Sequence, residues 1–128
     1  MGTAEDAEAL VRRFCSAFAD HDAEGLRPFF TDDVIYHNIP IEPVVGLDAT
    51  IELIASFTAM FEGAEFEILN LAVRDHVVLT ERVDTFAMGD AKVTLPVMGT
   101  FETRDGQISA WRDYFDMAQF TAQISGEG

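Results

Sequence analysis

Apolar residues recur at helical spacing near the start of the chain. Ala7, Leu10, Val11, Phe14 and Phe18 share one face of a predicted helix, with Thr3 as its cap and Glu5 and Asp6 in its opening turn. The segment DHDAEG restarts a short second helix that carries LRPFF, and Thr31-Asp32-Asp33 then reads as a turn. VIYHNI follows as a short β-rich run, and PIEPVVG, with two prolines and a glycine, reads as a rigid loop rather than a strand. A third helix is expected from Asp48 to Gly63, with Ile51, Ile54, Ala55, Thr58 and Phe61 as its apolar stripe.

Beyond Gly63 the pattern changes to the alternation of strands. EFEILNLAVRD and HVVLTERVDTFAM come first, Gly89-Asp90 turns the chain into KVTLPVMGTFETR, and Asp105-Gly106 is a strong hairpin signal before QISAWRDYFDM. MAQFTAQI closes as a short helix. No repeat, linker or low-complexity segment divides residues 1–128, so one domain is expected. Helices followed by a run of antiparallel strands make an α+β domain, in which a long curved sheet wrapped around helices leaves a conical cavity.

Composition sharpens this picture. The chain has 128 residues, 48% of them hydrophobic and 11 of them Phe, enough for a core with a pocket inside it. Eight Lys+Arg against 23 Asp+Glu give a net charge of −15, which repels nucleic acid and anionic membranes and keeps a Phe-rich chain in solution. The single cysteine, Cys15, rules out an intrachain disulfide and sits within a helical pattern as a small core or helix-face residue. No apolar run approaches the ~20 residues of a membrane span, and no signal-peptide pattern precedes the first amphipathic segment. A soluble, cytoplasmic protein is expected. His21, His37 and His76 are scattered without ligand spacing, and there is no phosphate loop or nucleophile elbow, so neither metal nor cofactor is expected.

Polar residues interrupt three apolar strand faces. Tyr36 and Asn38 lie two apart in VIYHNI; Arg82 and Asp84 do so in the central strand, on the face of Val78, Phe86 and Met88; Asp113 is flanked by Trp111 and Phe115. If the faces converge, Arg82 can bridge both aspartates with its planar fork of donors, and two close carboxyl groups push their proton affinities apart. That is what paired acid and base chemistry needs. Each residue also has a plainer reading. Arg82 and Asp84 can form an ion pair on a solvated face, and Asp113 can lie outside with Arg112 turned in. Tyr36 can be a packed core tyrosine, and Asn38, before Ile39-Pro40, a turn former.

Taken together, YHNIP with the following PVVG, TERVD and WRDYFD resemble the limonene-1,2-epoxide hydrolase family, in order and approximate spacing from about Phe29 to Phe120. The resemblance implies the cone-shaped fold shared with nuclear transport factor 2 and ketosteroid isomerases, its curved sheet mixed or antiparallel, a homodimer, and a small apolar epoxide plus water as substrates. It implies that Asp84 is the general acid, that Asp113 is the general base, and that Tyr36 and Asn38 hold the attacking water with Asp113. Arg82 would bridge the two aspartates. Phe57 and Phe61 on the third helix, with Phe86, Leu95, Val97, Phe115 and Phe120, match positions that line the pocket. Isomerases and polyketide-type cyclases on the same fold also place an Asp in an apolar cone but need no water-holding Tyr-x-Asn. A binding module without catalysis is the remaining alternative.

Overall fold

The apolar stripe of the first helix decides where the core lies. In the computed structural model, which describes residues 4–20 and 22–125, helix α1 (Ala4–Asp20) buries Ala7, Leu10, Val11, Phe14, Cys15 and Phe18. The cap expected at Thr3 and the histidine at 21 lie outside the described residues. Phe14 meets Phe18, Phe29, Phe30, Phe101 and Trp111 edge-on, with ring centroids between 5.0 and 6.1 Å apart, the geometry aromatic pairs prefer. Burial pushes the Cys15 thiol up to about 12, so it packs as a small apolar residue.

Asp22 caps α2 (Ala23–Leu26) by accepting the Gly25 N–H at 3.0 Å. The chain leaves that helix after Leu26, earlier than expected, and a 3-10 turn (Arg27–Phe29) with Pro28 near its start leads into β1 (Phe30–Asn38). The turn expected at Thr31-Asp32-Asp33 does not form, because the strand runs through it with Thr31 buried and both aspartates exposed. Its pairing shifts register between Phe30 and Ile35, and such a bulge accommodates turn-prone residues without ending the strand.

The segment expected to be loop throughout contains a two-residue edge strand, β2 (Val44–Val45), paired antiparallel with Ile35 and Tyr36. Pro40 and Pro43 lack an N–H but fall outside the paired residues, so the ladder is not interrupted. Gly46, at φ +100, turns the chain into α3 (Leu47–Thr58), a conformation in which a Cβ would be strained. The helix stops at Thr58, short of Gly63, and its buried face is Thr50, Ile51 and Ile54, whereas Ala55, expected inside, is exposed.

Strands β3 (Gly63–Arg74), β4 (Val77–Met88), β5 (Ala91–Arg104) and β6 (Gln107–Tyr114) follow as consecutive hairpins. The six-stranded sheet has the order β2-β1-β6-β5-β4-β3. The run from β3 to β6 is antiparallel and β1 joins β6 in parallel, so the sheet is mixed, one of the two forms expected. It is curved and open, and α1 packs on its buried face through Phe14, which meets Phe101 and Trp111. Helix α4 (Met117–Ser125) lies against β5, and Gln123 fixes it there. Its Oε1 accepts the Thr94 N–H at 2.9 Å and its Nε2 donates to the Thr94 carbonyl at 2.8 Å. No described helix is long and apolar enough to cross a membrane.

Candidate active site

Alternation along β4 sends Val78, Thr80, Arg82, Asp84 and Phe86 to one side, where all are buried. Arg82 is 1% exposed and Asp84 3%, which overturns the solvated ion pair as a reading of these two residues. On β6, Trp111 and Asp113 turn to the same side and are buried, while Arg112 faces away and pairs with Glu102 at 2.7 Å. The parallel register of β1 on β6 then sets Tyr36 beside Trp111 and Asn38 beside Asp113. The Tyr36 ring stacks on Trp111 with centroids 4.2 Å apart, and its hydroxyl donates to Asn38 Oδ1 at 3.3 Å.

Arg82 joins the two aspartates. Its Nε and Nη2 donate to Oδ1 and Oδ2 of Asp84 at 3.0 and 2.7 Å. Its Nη1 and Nη2 donate to Oδ1 and Oδ2 of Asp113 at 3.1 and 2.9 Å. Nη1 also donates to Thr80 Oγ1 at 3.3 Å. A guanidinium has five N–H donors, and here each has an acceptor, the condition under which a buried charge is tolerated. The face of Phe66 lies 4.6 Å from the guanidinium carbon. Trp111 completes the cluster by donating Nε1–H to Asp113 Oδ1 at 2.8 Å.

One guanidinium between two carboxyl groups leaves a net negative charge out of water unless a proton is taken up. Burial pushes the Asp84 carboxyl up to about 6; Arg82 pulls it down, and the Asp113 charge adds to the rise. Burial also opposes the charge on Arg82, but the two carboxyl groups outweigh it and hold the guanidinium well above its ordinary range. The Tyr36 phenol is held up by burial and by Asp113, so it remains a neutral donor.

These groups share a cavity of about 170 Å³ whose lining includes Tyr36, Asn38, Asp84 and Asp113. Phe57, Phe86, Leu95, Val97, Phe115 and Phe120 form its apolar wall. Phe61, expected in that wall, sits behind it, its ring centroid 5.1 Å from Phe57 and 5.0 Å from Phe86. The early end of α3 takes Phe61 off the helical face that its spacing implied. Sequence reasoning missed Phe18, Leu53 and Ile54 from the helices, Phe66 from β3, and Ile41 and Met117 at the rim. It also missed Thr80 and the indole donor of Trp111, although the alternation that placed Arg82 and Asp113 places these two as well.

The two described histidines stand apart from this cluster. His37 Nε2 bonds the Ile41 carbonyl at 3.0 Å, outside the cavity, and His76 is exposed between β3 and β4. Among the described residues, no group of three or more His, Cys, Asp or Glu is placed to hold a metal ion.

A curved open sheet with helices packed on it, and an Asp–Arg–Asp group buried beside an apolar cavity, defines an α+β domain of the nuclear transport factor 2-like class. A Catenulispora acidiphila protein with a ketosteroid isomerase-like fold matches it with a TM-score of 0.81 over 91% of this chain and 92% of that one; at 19% identity it shows the fold alone. The family model of the limonene-1,2-epoxide hydrolase catalytic domain matches residues 5–125. Epoxide hydrolase EphG of Mycobacterium tuberculosis is 33% identical over 107 residues, which span 84% of this chain and 71% of that protein. The structure of an LEH-like epoxide hydrolase from M. tuberculosis matches with a TM-score of 0.83 and 30% identity, over 96% of this chain and 92% of that one. The chain belongs to the limonene-1,2-epoxide hydrolase family.

Proposed function

We propose that this protein opens an apolar, alicyclic epoxide to a vicinal diol in one step, with water as the nucleophile. The observation that carries the reading is the buried Asp84–Arg82–Asp113 group, with Nη2 of Arg82 shared at 2.7 and 2.9 Å, facing an otherwise apolar cavity. Asp113 takes a proton from a water held by Tyr36 and Asn38. The water oxygen bonds to an epoxide carbon, the carbon–oxygen bond breaks, and the departing oxygen takes the proton of Asp84. One proton enters the cluster and one leaves it. The charge therefore only moves from one side of Arg82 to the other, and Arg82 touches both. Exchange with solvent resets the pair, and no ester to the protein forms.

The acid role of Asp84 is supported by its rise to about 6, which keeps roughly a tenth of it protonated at neutral pH. The apolar wall offers no further polar partner, which suits a substrate whose polarity is confined to the epoxide oxygen. The homodimer implied by the family belongs to the same reading. Leu79, Met98 and Tyr114, each about half exposed on the outer face of the sheet, are candidates for its interface, and a monomer in sedimentation equilibrium would remove it.

The test is hydrolysis of limonene oxide and cyclohexene oxide with EDTA present, followed by chiral analysis of the diols. Diol from the wild type, lost in Asp84→Asn and Asp113→Asn, is expected. Isomerisation of a Δ5-3-ketosteroid without diol formation would replace this reading with an isomerase. Tight retention of an apolar ligand, indifferent to Asp113→Asn and without turnover, would make the protein a binding module.

A further inference from the structure

Strand β5 separates Arg82 from Asp113. Arg82 on β4 lies opposite Val97, while Asp113 on β6 lies opposite Gly99. A side chain that reaches from β4 to β6 must cross the face of β5, about 9–10 Å of sheet. Arg82 crosses at Gly99. The same glycine lies opposite Thr80, so Thr80, Gly99 and Asp113 form one row across the three strands, all buried.

Glycine weakens a strand interior, and Gly99 is not there for backbone freedom, since it is not among the positive-φ glycines. What sets it apart is space. A Cβ on Gly99 would fall on Arg82 Nη1, 2.7 Å from Asp113 Oδ1 and 3.0 Å from Thr80 Oγ1. At Gly46, Gly63, Gly89 and Gly106 a Cβ would meet nothing within 4 Å. The guanidinium fills the volume of a missing side chain. Thr80, 0% exposed, supplies the other half of the fit. Its hydroxyl donates its one proton to the Gly99 carbonyl at 3.2 Å, so toward Arg82 Nη1, at 3.3 Å, it can only accept.

We propose that Gly99 and Thr80 form the seat of Arg82, positioning residues that hold the guanidinium across β5 and so set the acid Asp84 and the base Asp113 relative to one another. Neither residue lines the cavity, so both act through Arg82. The effect on turnover rests on the hydrolase reading, whereas the effect on the carboxyl groups does not.

The test uses Gly99→Ala, Thr80→Val and Thr80→Ser, with Gly63→Ala as the control at a strand glycine in open space. Each protein is assayed with cyclohexene oxide and its aspartate carboxyl groups are titrated by carbon-13 NMR. Gly99→Ala and Thr80→Val are expected to lower kcat by about a hundredfold, with KM within about twofold, because the reacting groups are displaced while the apolar wall is intact. Both should move the Asp84 titration. Thr80→Ser keeps the acceptor and is expected to stay within about threefold of the wild type, and Gly63→Ala should match it. If Gly99→Ala does not fold, the two Thr80 variants decide. Wild-type titration and kcat in folded Gly99→Ala or Thr80→Val would overturn the seat, as would equal losses in Thr80→Val and Thr80→Ser. A wild type that makes no diol while Thr80→Val still moves the titration would remove the hydrolase reading and leave the seat in place.

Discussion

Trp111 holds Asp113 by its indole, Nε1 donating to Oδ1 at 2.8 Å from two positions back on the same strand face. The residue is also the floor of the aromatic core and carries Tyr36 on its ring. Trp111→Phe separates the two roles, since it keeps an aromatic in the core and removes the donor. The expected result is a kcat about tenfold lower and a stability loss of about 1–3 kcal/mol, the usual cost of a lost buried hydrogen bond. Steady-state kinetics and urea unfolding check it; full activity would reduce Trp111 to packing.

Arg82 is expected to be irreplaceable for a different reason. Arg82→Ala leaves two buried carboxyl groups without their shared cation, and the loss of one partner from a buried ion pair costs about 3–5 kcal/mol. Arg82→Lys restores charge but has three donors from one nitrogen and cannot fork to Asp84 and Asp113 together. Both variants should melt lower than the wild type and show little turnover. Unchanged melting in either would show that the cluster is not the buried group described.

The pH dependence follows from Asp84, whose carboxyl is raised by burial from 3.8 to about 6. In the proposed role of general acid it must be protonated, so kcat/KM is expected to fall about tenfold per pH unit above pH 6. Stability follows the same proton. Between the unfolded value and about 6 the folded state binds more protons than the unfolded one, so this group's contribution is complete below the unfolded pKa and is lost as pH rises through the folded pKa. Asp84→Asn should flatten that part of the stability–pH curve. A curve with the same slope in wild type and variant would assign the titration elsewhere.

Phe57 sits where cavity size is set, its ring 5.0 Å from Phe86 and 5.9 Å from Phe120. Phe57→Leu is expected to widen the cavity and to move kcat/KM toward limonene oxide relative to cyclohexene oxide by about tenfold, the usual reach of apolar pocket contacts. Competition between the two epoxides in one vessel measures the ratio directly. An unchanged ratio would move the size limit to another part of the wall.

What the sequence by itself determined was whatever repeats with a period. The helical stripe ending at Phe18, the alternation that puts Arg82 and Asp84 on one face, and the hairpin at Asp105-Gly106 all depend on neighbours a few residues away. The misread segments fail for a common reason: their local chemistry was overridden by partners from far along the chain. Thr31-Asp32-Asp33 has the composition of a turn, yet the pairing of Phe30 and Ile35 with β6 on either side of it draws it into a strand. Val44 and Val45 were obscured by the prolines around them until β1 offered an edge. Only the tertiary structure decided that Asn38 meets Asp113, because the parallel joining of β1 to β6 has no short turn to announce it. It alone decided that a mid-strand glycine is the crossing point of Arg82, since the meaning of a missing Cβ depends on which side chain passes over it.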